Sequence, residues 1–274
     1  MRLTFARPVT YTAVVTLSVA MVFPFVWMLS SSFKPFSEIF AGDTFLPESP
    51  TIANYVSLFE QNNALLKLWN SFYIAASATA GSVFLCALGG YAFAKFRFPG
   101  RGLLFSLMLA SMAVPFAVVM VPLFVMMRNV FHWIDTPWPL IVPGAANAFG
   151  IFFMRQYMLS VPDEMLDAAR VDGASEFGIF WRIVLPTTIP GLVSLSIIFF
   201  MSSWNNFLWP LAILHSDSMQ TVPVMLNSLQ GPPGRTAFDV LMAGSVVSVL
   251  PMLGVFLILQ RHLVAGITSG AIKG

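Results

Sequence analysis

Residues 164–186 read EMLDAARVDGASEFGIFWRIVLP, and they lie between two long apolar stretches. With Asp163 just before it, the stretch holds five of the chain's 12 acidic residues: Asp163, Glu164, Asp167, Asp172 and Glu176. Its local pattern predicts two short helices. Ser160 is placed to cap the first, Pro162 suits its opening turn, and Asp163 and Glu164 favour the positive end of the helix dipole. That helix is expected to run to about Asp172, where Gly173 supplies the left-handed residue that ends it. A second helix follows with Phe177, Phe180, Trp181 and Val184 at i, i+3, i+4 and i+7, which predicts one apolar face. Pro186 stops it, and Pro190 redirects the chain.

The surroundings of this hairpin are very different. Of 274 residues, 57% are hydrophobic and only 9% are charged, with a mean hydropathy of +0.80. Soluble domains carry about 25% charged residues. No soluble core hides this much apolar surface, so the solvent is lipid. The 16 Met and 27 Phe suit lipid-facing and helix-packing surfaces. A formal net charge of +2 with no dense basic run argues against a nucleic-acid partner. The single cysteine, Cys86, excludes an internal disulfide and a thiolate metal cage.

Six spans are expected, at about 9–32, 69–94, 103–127, 138–159, 189–213 and 238–260. Each is close to the ~20 residues that cross the hydrocarbon, and too long and too apolar for barrel strands of ~10 residues. The expected fold class is an all-α integral membrane protein with six transmembrane helices. It forms one domain over 1–274, with a two-helix loop at about 160–188 between spans 4 and 5 and a tail at 261–274.

Orientation follows from Lys and Arg. With the N-terminus inside, the inner segments hold Arg2, Arg7, Lys95, Arg97, Arg101, Arg155, Arg170, Arg182, Arg261 and Lys273. The outer segments hold Lys34, Lys67, Arg128 and Arg235. This imbalance places both termini and the two-helix loop on the cytoplasmic side. The first span has basic flanks and no small-residue cleavage site, so it reads as an uncleaved anchor. The outer segments 33–68 and 214–237 read either as solvated connectors or as contacts for something outside.

Two readings of the two-helix loop stay open on the residues alone. One is an interfacial hairpin packed on lipid headgroups. The other is a knuckle docked into a cytoplasmic protein. The acidic first helix disfavours a lipid surface, and the small residues Ala168, Ala169, Gly173 and Ala174 leave a compact tip that suits a protein cleft.

The run DAARVDGASEFGIFWRIVLP, Asp167–Pro186, resembles the EAA loop of binding-protein-dependent ABC importer permeases. That pattern has Glu-Ala-Ala, two residues, Asp-Gly-Ala, and Ile-x-Leu-Pro further on. This chain supplies Asp167, Ala168, Ala169, Asp172, Gly173, Ala174, Ile183, Leu185 and Pro186 at the matching spacing. Asp167 stands where the pattern has Glu, with the charge kept and one methylene fewer.

Further runs resemble the carbohydrate-uptake branch: SSFKP, GYAFAKFRFPG, MAVPFAVVMVPLF, WNNFLWPL and the terminal QRHLVAGITSGAIKG. Within that branch the chain is similar to the six-span permease of the maltose transporter. The resemblance implies a second permease subunit, a pair of ABC ATPase subunits that bind ATP and Mg, and an extracellular or periplasmic sugar-binding protein. It implies a bacterial or archaeal cytoplasmic (inner) membrane and a sugar substrate. It also gives the knuckle the role of contacting the ATPase. The tail residues Ser269, Gly270 and Gly274 are candidates for a second ATPase contact, with a plain chain end as the alternative.

No cofactor site of the chain's own is expected. GPPGRT at Gly231–Thr236 lacks the lysine of a nucleotide-binding loop and reads as a turn. His132, His215 and His262 are scattered without metal-ligand spacing. The spans hold almost no ionisable side chains, which disfavours proton-coupled transport. An intramembrane transferase would need a polar cluster at one depth, and none is legible; an accessory subunit with no pathway of its own is the other alternative. Sugar chemistry draws attention to Trp204, Asn205 and Asn206. The asparagines offer uncharged donors and acceptors, and the indole offers a stacking face. Trp204 lies ~21 Å along the fifth span from Pro190 at 1.5 Å per residue. Interfacial anchoring of Trp and helix–helix bonding by Asn are the competing readings.

Overall fold

Proline decides which apolar stretches remain single helices. The computed structural model describes residues 6–40, 44–231 and 237–271, and no side chain is described at 6–9 or 259–271. The chain opens with α1 (Ala6–Ser31), α2 (Phe36–Ile39), α3 (Ala53–Glu60) and the long α4 (Ala64–Lys95). Next come α5 (Arg101–Ser111) and α6 (Phe116–Met126), the latter continued by a π-helical turn over Met127–Phe131. These two pieces meet at 96°. Pro115 has no N–H for the Ser111 carbonyl, so the helix ends there and restarts.

The stretch expected as a fourth span is also broken, into α7 (Trp138–Ile141) and α8 (Ala148–Met158). Pro143 has no N–H for the Pro139 carbonyl, and Asn147 starts α8 by accepting a hydrogen bond from the Gly150 N–H at 3.2 Å. Then follow α9 (Asp163–Val171), α10 (Glu176–Ile179), a π-helical turn over Phe180–Val184, α11 (Leu185–Thr187) and α12 (Ile189–Trp204). The piece Glu176–Thr187 meets α12 at 80°. The chain closes with α13 (Leu208–Ile213), a 3₁₀ turn at Asp217–Met219, α14 (Val222–Ser228) and α15 (Phe238–Ala271).

Among the described residues the fold is thus all-α, with three helices long and apolar enough to cross a membrane: Thr10–Ser31, Ala64–Lys95 and Phe238–Ile258. The two bent pairs raise this to at most five if each is one span. The continuous helices expected at 103–127, 138–159 and 189–213 are corrected to broken ones. In the last, Pro210 cannot donate to the Asn206 carbonyl, and Asn205 Nδ2 donates instead to the Met201 carbonyl at 2.9 Å.

The chain divides into two compact units. One gathers the residues up to Leu66 with Val222–Pro251. Its buried residues include Leu58, Val222, Met225, Val240 and Ala243. α15 runs close against α14, because a Cβ added to Gly244 would stand 2.8 Å from Leu226 Cδ2. Asn54 Nδ2 donates to the carbonyls of Ser32 and Lys34, both at 2.8 Å, and so closes the turn after α1.

The other unit gathers Lys67–Thr221 with the residues from Met252. Its main cluster includes Cys86, Tyr91, Met154, Met158, Leu166, Ile179, Phe180 and Val184. Here α4 and α8 nearly touch: a Cβ on Gly90 would lie 2.7 Å from Met154 Cβ, and one on Gly150 2.6 Å from Cys86 Sγ. Such close approach through small residues is how helices gain packing energy in lipid, where burial from water contributes little. At the far end of α4, Lys67 Nζ pairs with Asp217 Oδ1 at 2.6 Å, and Asn70 Nδ2 donates to the Ser218 carbonyl at 2.8 Å. Asp135, at a left-handed φ of 60°, accepts from the N–H groups of His215 and Ser216 at 3.0 Å and from Ser216 Oγ at 2.6 Å. The Ser216 hydroxyl bond, foremost among these, holds the Asp135 carboxyl below the usual carboxylate range.

Candidate functional site

The two-helix knuckle is built from the end of α4 outward. Ser160 was expected to cap α9, and this is corrected: its hydroxyl donates backwards to the Tyr157 carbonyl at 2.7 Å, finishing α8. Pro162 precedes α9 without a side-chain cap. Lys95 is the anchor instead. Its Nζ donates to the Val161 carbonyl at 2.5 Å and to Asp163 Oδ1 at 2.7 Å. That bond and the ammonium charge hold the exposed Asp163 carboxyl below its ordinary range.

α9 ends as the sequence predicts. Gly173 has φ +79°, its N–H reaches the Arg170 carbonyl at 3.0 Å, and the Ala174 N–H reaches the Ala169 carbonyl at 3.0 Å. This is the paired bonding of a Schellman end, and any Cβ at Gly173 would be strained by its φ. Leu166 is buried and fastens one face of α9 to the core. The opposite end is bare: Val171 is 88% exposed, and Asp172, Gly173 and Ala174 are exposed beside it.

Arg170 locks the two halves together. Its Nη1 pairs with Asp167 Oδ1 at 2.6 Å and its Nε with Glu176 Oε1 at 2.7 Å. Tyr91 Oη on α4 donates to Glu176 Oε2 at 2.9 Å. Hydrogen bonds to Glu176, then to Asp167, push the Arg170 pKa above its ordinary value, and Arg170 in turn holds Glu176 low. Asp167 is therefore engaged within the chain, while Asp172 makes no ion pair among the described residues.

The second helix is less regular than its periodicity suggests. The apolar residues Phe177, Phe180, Trp181 and Val184 divide between a buried pair, Phe180 and Val184, and an exposed pair, Phe177 and Trp181. Ser175 starts α10 by accepting from the Gly178 N–H at 3.2 Å, and the π turn at Phe180–Val184 then widens the helix. Wider turns shift the buried register to Ile179, Phe180 and Val184. Phe177 and Trp181 turn outward and stack at 6.3 Å and 18°. With Gly173, Ala174 and Arg182 they line a groove of about 480 Å³. Ile183 and Leu185 pack partly buried against the core cluster, and Pro186 is exposed.

The WNN run falls at the break after α12. Trp204 is 2% exposed, buried beside Ala75 and stacked on Phe200 at 5.9 Å and 21°. Of the three residues singled out there, Asn206 reaches a cavity, of about 160 Å³. The cavity also presents Thr79, Ser82, Asn147, Ser202 and Ser203, between walls that include Leu140 and Phe199. Thr79 Oγ1 is buried with no hydrogen-bond partner among the described residues. A buried hydroxyl in that state costs about 1–3 kcal/mol. Sequence reasoning missed these hydroxyls. The legible signal was Thr or Ser inside apolar spans, which any helix can satisfy on its own preceding turn.

The tail candidates Ser269 and Gly270 continue the backbone of α15; their side-chain surroundings and all of Gly274 lie outside the described residues. Among the described residues there is no group of three or more His, Cys, Asp or Glu side chains that could hold a metal ion.

Residues 86–269 match the family described as binding-protein-dependent transport system inner membrane component. The chain is 38% identical over 262 residues to the arabinooligosaccharides transport system permease protein AraQ of Bacillus subtilis (strain 168), covering 94% of this chain and 92% of the relative. It is 34% identical over 252 residues to the lactose transport system permease protein LacG of Rhizobium radiobacter, covering 92% and 91%. A chain of a crystallised bacterial ABC transporter involved in the import of the acidic polysaccharide alginate superposes with a TM-score of 0.84, over 95% of this chain and 98% of that one. At 21% identity, that likeness shows the fold. The chain accordingly belongs to the family of binding-protein-dependent transport system inner membrane components, as a multi-pass permease of ABC importers in their carbohydrate-uptake branch.

Proposed function

We propose that this chain forms one half of the translocation pathway of an ATP-driven importer for a sugar or a related polyol or glycoside. Its relatives include permeases named for arabino-oligosaccharide and lactose transport. Its partners in this reading are a second permease, a pair of ATPase subunits that bind ATP and Mg, and an extracellular or periplasmic sugar-binding protein. The chain crosses the membrane six times as one domain, with the broken stretches 103–127, 138–159 and 189–213 as spans 3 to 5, the coupling loop at about 160–188, and both termini cytoplasmic. The excess of Lys and Arg in the inner segments supports this orientation.

The observation that carries the coupling role is the knuckle itself: a rigid, ion-paired hairpin whose tip offers Val171, Asp172, Gly173 and Ala174 to a partner. Ala168 and Pro186 lie exposed on the same knuckle, while Asp167 pairs with Arg170 and Ala169, Ile183 and Leu185 pack against the core behind the tip. Closure of the ATPases then moves the knuckle as a rigid body and carries the spans between inward-open and outward-open states. Trp204, Asn205 and Asn206 belong to the pathway region, and Ser269, Gly270 and Gly274 to a second ATPase contact. Affinity purification of the tagged chain tests the assembly. Recovery of ATPase and second permease, with sugar uptake in reconstituted vesicles, is expected; a chain that purifies alone and supports no uptake overturns the reading.

A further inference from the structure

The cavity beside Asn206 gathers polar side chains from α4, the start of α8 and the end of α12. Thr79 sits midway along α4, about 23 Å from either end at 1.5 Å per residue. Its side of the helix should carry apolar packing, yet Thr79 is 8% exposed with a hydroxyl that bonds to nothing among the described residues. The hydroxyl belongs to the lining of a polar cavity, not to a helix carbonyl of its own turn. Ser203 and Asn206 reach the same cavity from the end of α12, with side chains uncommitted to any other group among the described residues. Asn147 reaches it from the start of α8, its Oδ1 already accepting from Gly150, which leaves its amide N–H groups over.

Broken backbone and unspent polar groups at mid-membrane depth are tolerated where they line a cavity that something polar enters. Among the described residues, no Asp, Glu, Lys, Arg or His lines this one. An ionic group would therefore meet no counter-charge there and would keep its full desolvation penalty. The groups present are hydroxyls and amides, each able to match a hydroxyl as donor or acceptor. A volume of about 160 Å³ lies well below the ~300–1,000 Å³ of pockets that enclose a whole drug-sized ligand. It suits one ring or less, with the remainder of a longer substrate outside.

We infer that this cavity is a transit subsite for a single uncharged sugar ring, read by Thr79, Ser203 and Asn206. The inference rests on the sugar-import reading above and narrows it to neutral rings at this point of the pathway.

The test is uptake by the complete importer, reconstituted with its binding protein, of a panel of radiolabelled neutral mono- to tetrasaccharides and their matching uronates. Wild type is expected to import at least one neutral sugar and none of the uronates. Thr79→Val, which keeps the side-chain shape, and Asn206→Leu are each expected to lower that uptake at least tenfold. Thr79→Ser is expected to stay within about twofold of wild type, and Ser203→Ala to lose several-fold. Co-purification of all subunits reports assembly in each case. A variant that fails to assemble is set aside, and the remaining ones decide.

Wild-type kinetics in the assembled variants would mean a cavity filled only by water and would overturn the subsite. Efficient uronate import would overturn its neutrality. Either result leaves sugar import itself standing. Absence of uptake of any sugar by wild type sinks both readings together.

Discussion

Lys95 Nζ stands 2.7 Å from Asp163 Oδ1, and through that contact the last turn of α4 holds the first turn of α9. The lysine is 5% exposed in its side chain and the aspartate 75%. The two partners are therefore unequal. Lys95 also holds the Val161 carbonyl, so removing it unfastens two groups, whereas removing the Asp163 charge unfastens one. Lys95→Met is expected to lower uptake several-fold, and Asp163→Asn less, since solvent screens the exposed carboxylate's side of the pair. Parallel uptake assays at matched expression check the order; equal losses would show that the charge pair alone matters.

Acid should act through this contact and through the Arg170–Glu176 pair. The Asp163 and Glu176 carboxyls both sit below their ordinary pKa, through Lys95 and Arg170 respectively. A depressed carboxylate pKa stabilises the fold fully above the unfolded value and loses that contribution as pH falls through the folded one. The knuckle should therefore be unaffected from neutrality down to about pH 5 and loosen below about pH 4. The expected readout is thermal unfolding of detergent-purified protein: wild type exceeds Lys95→Met in Tm at pH 6, and the gap narrows at pH 3.5. A gap that is constant with pH rejects the ion-pair origin.

Gly173 tests backbone conformation apart from steric room. An added Cβ there meets nothing within 4 Å, so any penalty inside this chain comes from φ +79°. That is about 1 kcal/mol for a side chain with a Cβ, and less for Asn, which tolerates the left-handed region. Gly173→Asn is expected to retain more ATPase association than Gly173→Ala, and Gly173→Asp to lose it while inserting normally. Co-purification with the ATPase measures this. Full association of Gly173→Asp would remove the tip from the proposed contact.

Val171 is the apolar group that the tip leaves bare, at 88% exposure. Val171→Asp removes no internal packing, so Tm should move by less than a few degrees. Binding to the ATPase should weaken about tenfold or more if the side chain enters an apolar cleft, which is about 1.4 kcal/mol. Titration of purified ATPase onto detergent-solubilised permease gives the number. Unchanged affinity would remove Val171 from the proposed ATPase contact.

Topology can be read by thiol labelling against a quiet background, because Cys86 is fully buried. Val171→Cys is preferable to Ser175→Cys, since Ser175 caps α10. Ser228→Cys should react with an impermeant reagent added outside the cytoplasmic membrane, and Val171→Cys only after that membrane is opened. Labelling of Val171→Cys from outside would invert the proposed orientation.

Much of this protein was legible in its residues because the features concerned are local. Composition names lipid as the solvent, Gly173 names the end of α9, and the EAA spacing names the family. Arrangement across helices was not legible. Periodicity reports where a stripe lies on its own helix and nothing of what faces it. It therefore put Phe177, Phe180, Trp181 and Val184 on one apolar face without showing that Phe180 and Val184 are buried while Phe177 and Trp181 stay exposed. It offered Trp204 as an open platform, although packing on Ala75 and Phe200 covers its face. It passed over Thr79, whose meaning depends on Ser203 and Asn206, more than a hundred residues away in the chain. A hydroxyl in a span is unremarkable until neighbouring helices fix which groups it can reach. That distance is set by close packing at Gly90 and Gly150 and by the breaks at Pro143 and Pro210, and so by the tertiary structure alone.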